Sequence, residues 1–128
     1  MGRHVVSALM MVAAVALLSP PARGSDVAHG AIVAKVRCST CHFLHRKERK
    51  IGPGLLDVYG RAPSISGVPF KRWDAHALNM WLSGPRKVKA NTMMMLPPLS
   101  RRDREDVIAY LRHQTLKVSA ASASPVSP

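Results

Sequence analysis

Cys38-Ser39-Thr40-Cys41-His42 holds both cysteines of the chain, three residues apart, with an imidazole directly behind the second. On a helical turn, residues three apart point the same way. Both sulfurs would then face one side, with the histidine ring next to them. Paired cysteines at this spacing serve a redox dithiol, a zinc site, a disulfide or a pair of thioether tethers, and the rest of the sequence decides among them.

A redox dithiol normally follows a strand in a βαβ unit, and no stretch of this sequence alternates convincingly as a strand. A structural zinc site takes four ligands, usually as two pairs; Cys38, Cys41 and His42 would need one distant histidine. A disulfide is discouraged by so short a loop. The full C-x-x-C-H pattern is that of covalent c-type haem attachment. Its spacing lets both sulfurs add to the two vinyl groups on one haem edge while His42 lies beneath the iron.

The sequence upstream agrees with this. Met1 to Gly24 contains no acid, begins with Arg3 and His4, and runs apolar from Val5 to Leu18, broken only by Ser7. Ala22 and Gly24 sit three and one residues before Ser25, where a signal peptidase requires small side chains. Residues 1–24 therefore read as an export signal. The run is short for a span of roughly 30 Å of hydrocarbon, and a membrane is implied only if this leader is retained as an anchor. Export also suits thioether formation, which needs free thiols delivered outside the cytoplasm.

Composition limits what lies downstream. The chain has 128 residues, 47% of them apolar, with 19 Lys and Arg against 7 Asp and Glu and a formal net charge of +12. Removing Arg3 and Arg23 with the leader leaves 17 basic residues against 7 acidic ones. A multidomain enzyme, a polytopic membrane protein and a disulfide-framed miniprotein are excluded. One working domain is expected over residues 25–117. Residues 118–128, all Ser, Ala, Pro and Val, can bury little and are expected to form a disordered tail.

Three helices are expected within the domain. The first follows Ser25 or Asp26 as N-cap and carries Ile32, Val33 and Val36. The second begins at Asp74, carries Leu78, Trp81 and Leu82, and stops at Gly84-Pro85. The third opens with Ser100 and Asp103 as a capping box, and Val107, Ile108 and Leu111 share a face. The fold class is all-α with long loops. Two Trp, two Tyr and two Phe are few for a core that must offset roughly 1–2 kcal/mol of ordering cost per residue. A flat apolar cofactor would supply the missing interior.

The same residues resemble the class I cytochromes c, and the likeness extends from Gly30 to Leu111. Gly52-Pro53-Gly54-Leu55, closed by Gly60-Arg61, looks like the family's loop on the proximal side of the haem. Trp73, the helix ending in Trp81-Leu82, Pro85, and Ile108-Ala109-Tyr110-Leu111 match further family positions. Ala34 stands where the family packs a large aromatic. The resemblance implies a small cytochrome c fold with crossing terminal helices and one covalent haem c. Cys38 and Cys41 would be its tethers and His42 its proximal iron ligand. It further implies that the Pro53 carbonyl accepts from the His42 ring, and that Arg61 and Trp73 serve the propionates.

The distal ligand is expected in Asn91-Thr92-Met93-Met94-Met95. The family's methionine falls nine residues after Pro85, and its Thr-x-Met gives Thr92 and Met94. Met94 is favoured, with Met93 and Met95 as alternatives. A copper site from the three thioethers lacks the His and Cys partners of a blue-copper centre. His29, His76 or His113 could stand in for the methionine, whereas His45 is too near His42 to reach the opposite face.

His and Met together raise a haem's reduction potential and leave no position for substrate. The expected function is one-electron transfer without enzymatic chemistry, in a monomeric periplasmic carrier. The alternatives are a cytochrome subunit of a periplasmic dehydrogenase complex, or a haem enzyme or gas sensor with a labile sixth ligand. Basic clusters at Arg46-Lys47-Glu48-Arg49-Lys50, Lys71-Arg72, Arg86-Lys87-Lys89 and Arg101-Arg102 suggest acidic redox partners: a dehydrogenase, reductase or oxidase. Nucleic acid is disfavoured by export and by the lack of an aromatic-interleaved basic motif.

Overall fold

A computed structural model describes residues 23–124. The export signal expected over residues 1–24 lies almost wholly outside them. Among the described residues no helix is long and apolar enough to cross a membrane. The described residues form four helices and no strand: α1 (Val27–Arg37), α2 (Ala75–Ser83), α3 (Pro85–Val88) and α4 (Arg101–Ala123).

Each main helix begins on a side-chain cap. Asp26 accepts from the His29 amide at 2.9 Å, Asp74 from the Ala77 amide at 2.8 Å and Ser100 from the Asp103 amide at 3.0 Å. Such caps satisfy amides that have no partner within the helix. The reciprocal arm of the Ser100–Asp103 box is replaced. The Asp103 carboxylate instead lies 3.9 Å from His29 Nε2 on α1. Pro85 ends α2 and also opens α3 at its first position, where a missing N–H is harmless.

The organising contact is the crossing of α1 and α4. Gly30 and Ala34 are the buried residues of α1, and Ala34 is fully buried. A Cβ on Gly30 would collide with the Asp106 backbone carbonyl. With the backbones this close there is no space for an aromatic at position 34. Ile32 and Val36, two of the apolar positions that mark this helix in the sequence, are instead 62% and 68% exposed. Small side chains make the crossing, and the branched ones are turned outward.

From α4 come Val107, Ile108, Tyr110 and Leu111, all buried; α2 adds Ala77, Leu78, Trp81 and Leu82. Burial raises the pKa of the Tyr110 phenol above its ordinary value, with a smaller contribution from Cys38.

A further correction concerns the tail. α4 continues through residues 118–123, where the sequence suggested disorder. Propagating an existing helix avoids the cost of nucleation, and Ala120, Ala121 and Ala123 are the strongest helix formers available. Ser122 Oγ also donates to the Val118 carbonyl at 3.0 Å. Residues 125–128 lie outside the described residues.

A buried carboxylate fastens the start of α1 to α4. Asp106, 2% exposed, accepts from the Asp26 backbone N–H at 2.7 Å and from His29 Nδ1 at 2.8 Å. Arg102 Nε lies 3.5 Å away, and Asp103 faces the other side of the His29 ring. The Asp26 hydrogen bond is the main cause holding the Asp106 pKa below its usual value. Desolvation opposes it, while His29 and Arg102 assist.

A depressed folded-state pKa gives stability that is fully present above the unfolded carboxylate pKa, about 3.9. That stability is lost as pH falls through the folded value. Asp106→Asn should therefore cost about 2 kcal/mol at pH 7, with the gap to wild type closing at a pH below both the unfolded and the folded carboxylate pKa. Urea denaturation at the two pH values measures both.

Candidate functional site

α1 continues into the cysteine segment as a turn. Cys38 caps the helix by donating its N–H to the Ala34 carbonyl at 2.8 Å. Its own carbonyl accepts from the amides of Cys41 at 3.1 Å and His42 at 2.9 Å. One peptide oxygen thus organises all three residues. Both thiols are free, Cys38 buried and Cys41 exposed. Burial pushes the Cys38 thiol up to about 11; Arg37 partly offsets this and Cys41 adds to it. A thiol in that range is protonated at neutral pH and is a poor redox nucleophile. Among the described residues, no three His, Cys, Asp or Glu side chains gather to hold a metal ion directly.

The His42 ring is fixed from one side. Its Nδ1 lies 2.7 Å from the Pro53 carbonyl, an acceptor only, so Nδ1 carries the proton and donates. Nε2 is left with its lone pair free, the form in which a neutral imidazole binds a metal. The loop that delivers Pro53 is pinned by Gly52 N–H donating to the Cys41 carbonyl at 2.7 Å and Leu55 N–H to the Phe43 carbonyl at 2.8 Å. A Cβ at Gly52 would strike the imidazole itself. Gly52 and Pro53 therefore act together, one leaving space for the ring and the other orienting it.

Arg61 and Trp73 are paired through their backbones: Trp73 N–H donates to the Arg61 carbonyl at 2.9 Å. The Arg61 guanidinium donates to the Gly54 carbonyl at 2.8 Å, tying it to the loop that holds His42. Trp73 is buried and packs edge-on against Trp81, with ring centroids 5.6 Å apart.

The three consecutive methionines separate clearly. Met93 and Met95 are 94% and 78% exposed, whereas Met94 packs partly buried against the core. Alternation along an extended segment gives this pattern. The Met94 N–H donates to the hydroxyl of buried Thr92 at 3.2 Å. Trp81 Nε1–H donates to Met94 Sδ at 3.0 Å.

Trp81 is the site residue that sequence reasoning missed. The sequence places it on a helix face and in a helix that matches the family, but nothing local signals where an indole N–H will point. An N–H on a thioether draws electron density from the sulfur, which disfavours the more electron-poor oxidised iron in any iron–sulfur bond. Trp81→Phe should therefore lower the reduction potential of the holoprotein by about 20–40 mV, the equivalent of a fraction of one hydrogen bond. Potentiometric titration measures it.

The donor set fits a c-type haem: two thiols and an imidazole on one turn, a ring whose Nδ1 is engaged by Pro53 so that Nε2 is left for a metal, and a thioether held by Trp81 and Thr92. Comparison with known proteins agrees. A family model for cytochrome c matches residues 27–115. A cytochrome c of Gibberella zeae is 33% identical over 103 residues, covering 72% of this chain and 97% of that protein. One from Arabidopsis thaliana is 33% identical over 101 residues, covering 70% and 90%. A cytochrome c2 of Pararhodospirillum photometricum is 31% identical over 107 residues, covering 67% and 95%. The chain belongs to the cytochrome c family, as a class I monohaem member. Its cofactor is a covalent c-type haem, and its function is that of a haem-based electron carrier.

Proposed function

We propose that this cytochrome c is exported and passes single electrons between periplasmic or membrane-bound redox proteins, with no enzymatic activity of its own. The bond from His42 Nδ1 to the Pro53 carbonyl carries the reading, because it leaves Nε2 as a ready axial ligand. Cys38 and Cys41 would tether the haem, His42 and Met94 would be the axial pair, and Arg61 and Trp73 would serve the propionates. The bound haem supplies one iron that gains and loses an electron. Pro53 fixes the imidazole tautomer and Thr92 holds the Met94 backbone. Trp81 keeps the thioether in place. With His42 and Met94 both holding the iron, no position would be left for a substrate.

Export follows from the leader at residues 1–24, with Ser25 opening the mature chain. The cytochrome c2 relative is in keeping with a bacterial, periplasmic setting. The basic clusters are exposed apart from half-buried Lys89, and they would steer acidic partners toward a monomeric carrier. Such steering raises association rates by roughly 10–10³-fold at low salt. Stopped-flow electron exchange between the holoprotein and membranes of the producing organism should slow at least roughly tenfold as salt rises. A flat profile would contradict acidic partners.

A further inference from the structure

Two thioethers beside Met94 take no part in the packing. Met93 and Met95 are almost wholly in solvent, more so than any other large apolar side chain among the described residues. In water a leucine would serve the fold equally well. What methionine alone adds there is a sulfur with both lone pairs free, a group that readily accepts an oxygen atom.

We propose that Met93 and Met95 are oxidation sites that take up hypochlorous acid and related oxygen-transferring oxidants ahead of the Met94 sulfur. The benefit rests on the reading of Met94 as axial ligand, whereas the order of attack rests on exposure. Met94 packs partly buried against the core, and its Sδ receives the Trp81 Nε1–H at 3.0 Å. One lone pair is thereby engaged, and the iron would hold the other. The neighbours on either side alternate outward along the extended segment, so an oxidant arriving from solvent meets them first. Charge favours its arrival. No acidic residue lies between Asp74 and Asp103, and Arg86 and Lys87 are exposed, so the hypochlorite anion is drawn in rather than repelled.

Each step moves two electrons from sulfur to chlorine. An S–O bond forms, the O–Cl bond breaks, and chloride and a proton leave a sulfoxide behind. At Met93 or Met95 the new polar oxygen stands in water and disturbs no packing. At Met94 it would set a polar group against the core and occupy the lone pair that the iron needs. Oxidation at the outer positions is also reversible, because sulfoxide reductases restore the thioether.

The test treats the holoprotein with about one equivalent of hypochlorous acid per chain and maps the added oxygen by tandem mass spectrometry. Half-buried Met80 serves as internal reference. In wild type, sulfoxide at Met93 and at Met95 is expected to exceed that at Met94 about tenfold, with the Met–Fe(III) charge-transfer band retained. Met93→Leu/Met95→Leu should match wild type in visible spectrum and thermal midpoint before treatment. After the same dose its Met94 sulfoxide should rise about fivefold and its band should weaken in step. Met93→Gln/Met95→Gln gives the same comparison if the leucines cause association. Equal sulfoxide at Met93, Met94 and Met95 in wild type would overturn the proposal. So would equal Met94 oxidation in wild type and variant. A wild type without the band before treatment overturns the axial reading alone, and the oxygen count at the three positions still decides the order of attack.

Discussion

Met94→Ala should erase the Met–Fe(III) charge-transfer band at the red end of the visible spectrum. It should also lower the potential by more than about 100 mV and let the ferrous holoprotein bind CO. Met93→Ala and Met95→Ala should change none of these. The difference rests on geometry. The outer two side chains are almost wholly in solvent, while Met94 packs against the core and receives the Trp81 N–H. Thr92 holds its backbone at 3.2 Å. A thioether prefers the reduced iron, so losing it favours the oxidised form, and the opened position accepts a diatomic ligand. Spectra, potentiometry and CO titration of the three variants measure the effect. Loss of the band in Met93→Ala or Met95→Ala would move the ligand to that residue.

Cys38→Ala/Cys41→Ala should leave a chain without a cooperative melt and without the far-UV helical signal of α1 and α2. α1 has 11 residues and α2 has 9, both below the length at which an isolated helix is stable in water. Between Cys38 and Asp74 the described backbone forms no helix at all, so those residues must be ordered by what they surround. Each costs about 1–2 kcal/mol to fix, and only six aromatic side chains are available to the whole chain. A covalently held haem is the apolar body that offsets this cost. Circular dichroism of the double variant beside wild-type holoprotein measures it. A native-like spectrum with a cooperative melt would show that the polypeptide core suffices alone.

Much of this architecture is legible in the residues. Asp26, Asp74 and Ser100 announce their helices because capping is a local interaction between a side chain and an amide three positions on. The attachment turn is legible for the same reason: one carbonyl, that of Cys38, closes it. What periodicity cannot show is how near two helices approach. Ile32 and Val36 mark the helix as apolar positions at helical spacing, yet the packing of Gly30 against the Asp106 backbone turns them outward.

Asp106 illustrates the same limit from the other side. It looks like a surface acid in a charged helix, and only the position of α1 makes it a buried acceptor. Trp81 is similar, since a bond spanning 13 positions depends on the path of the loop between. The helical extent of residues 118–123 is not legible because a stretch of small residues with little to bury reads as disorder, although alanines on an existing helix need no burial.

Mass spectrometry of the intact protein, made with its leader in a host that matures c-type cytochromes, bears most directly on whether Cys38 and Cys41 carry the haem. A red product beginning at Ser25 is expected, heavier than its polypeptide by one haem that acid–solvent extraction does not release. A colourless product of bare polypeptide mass, or a haem that extraction removes, would contradict the account.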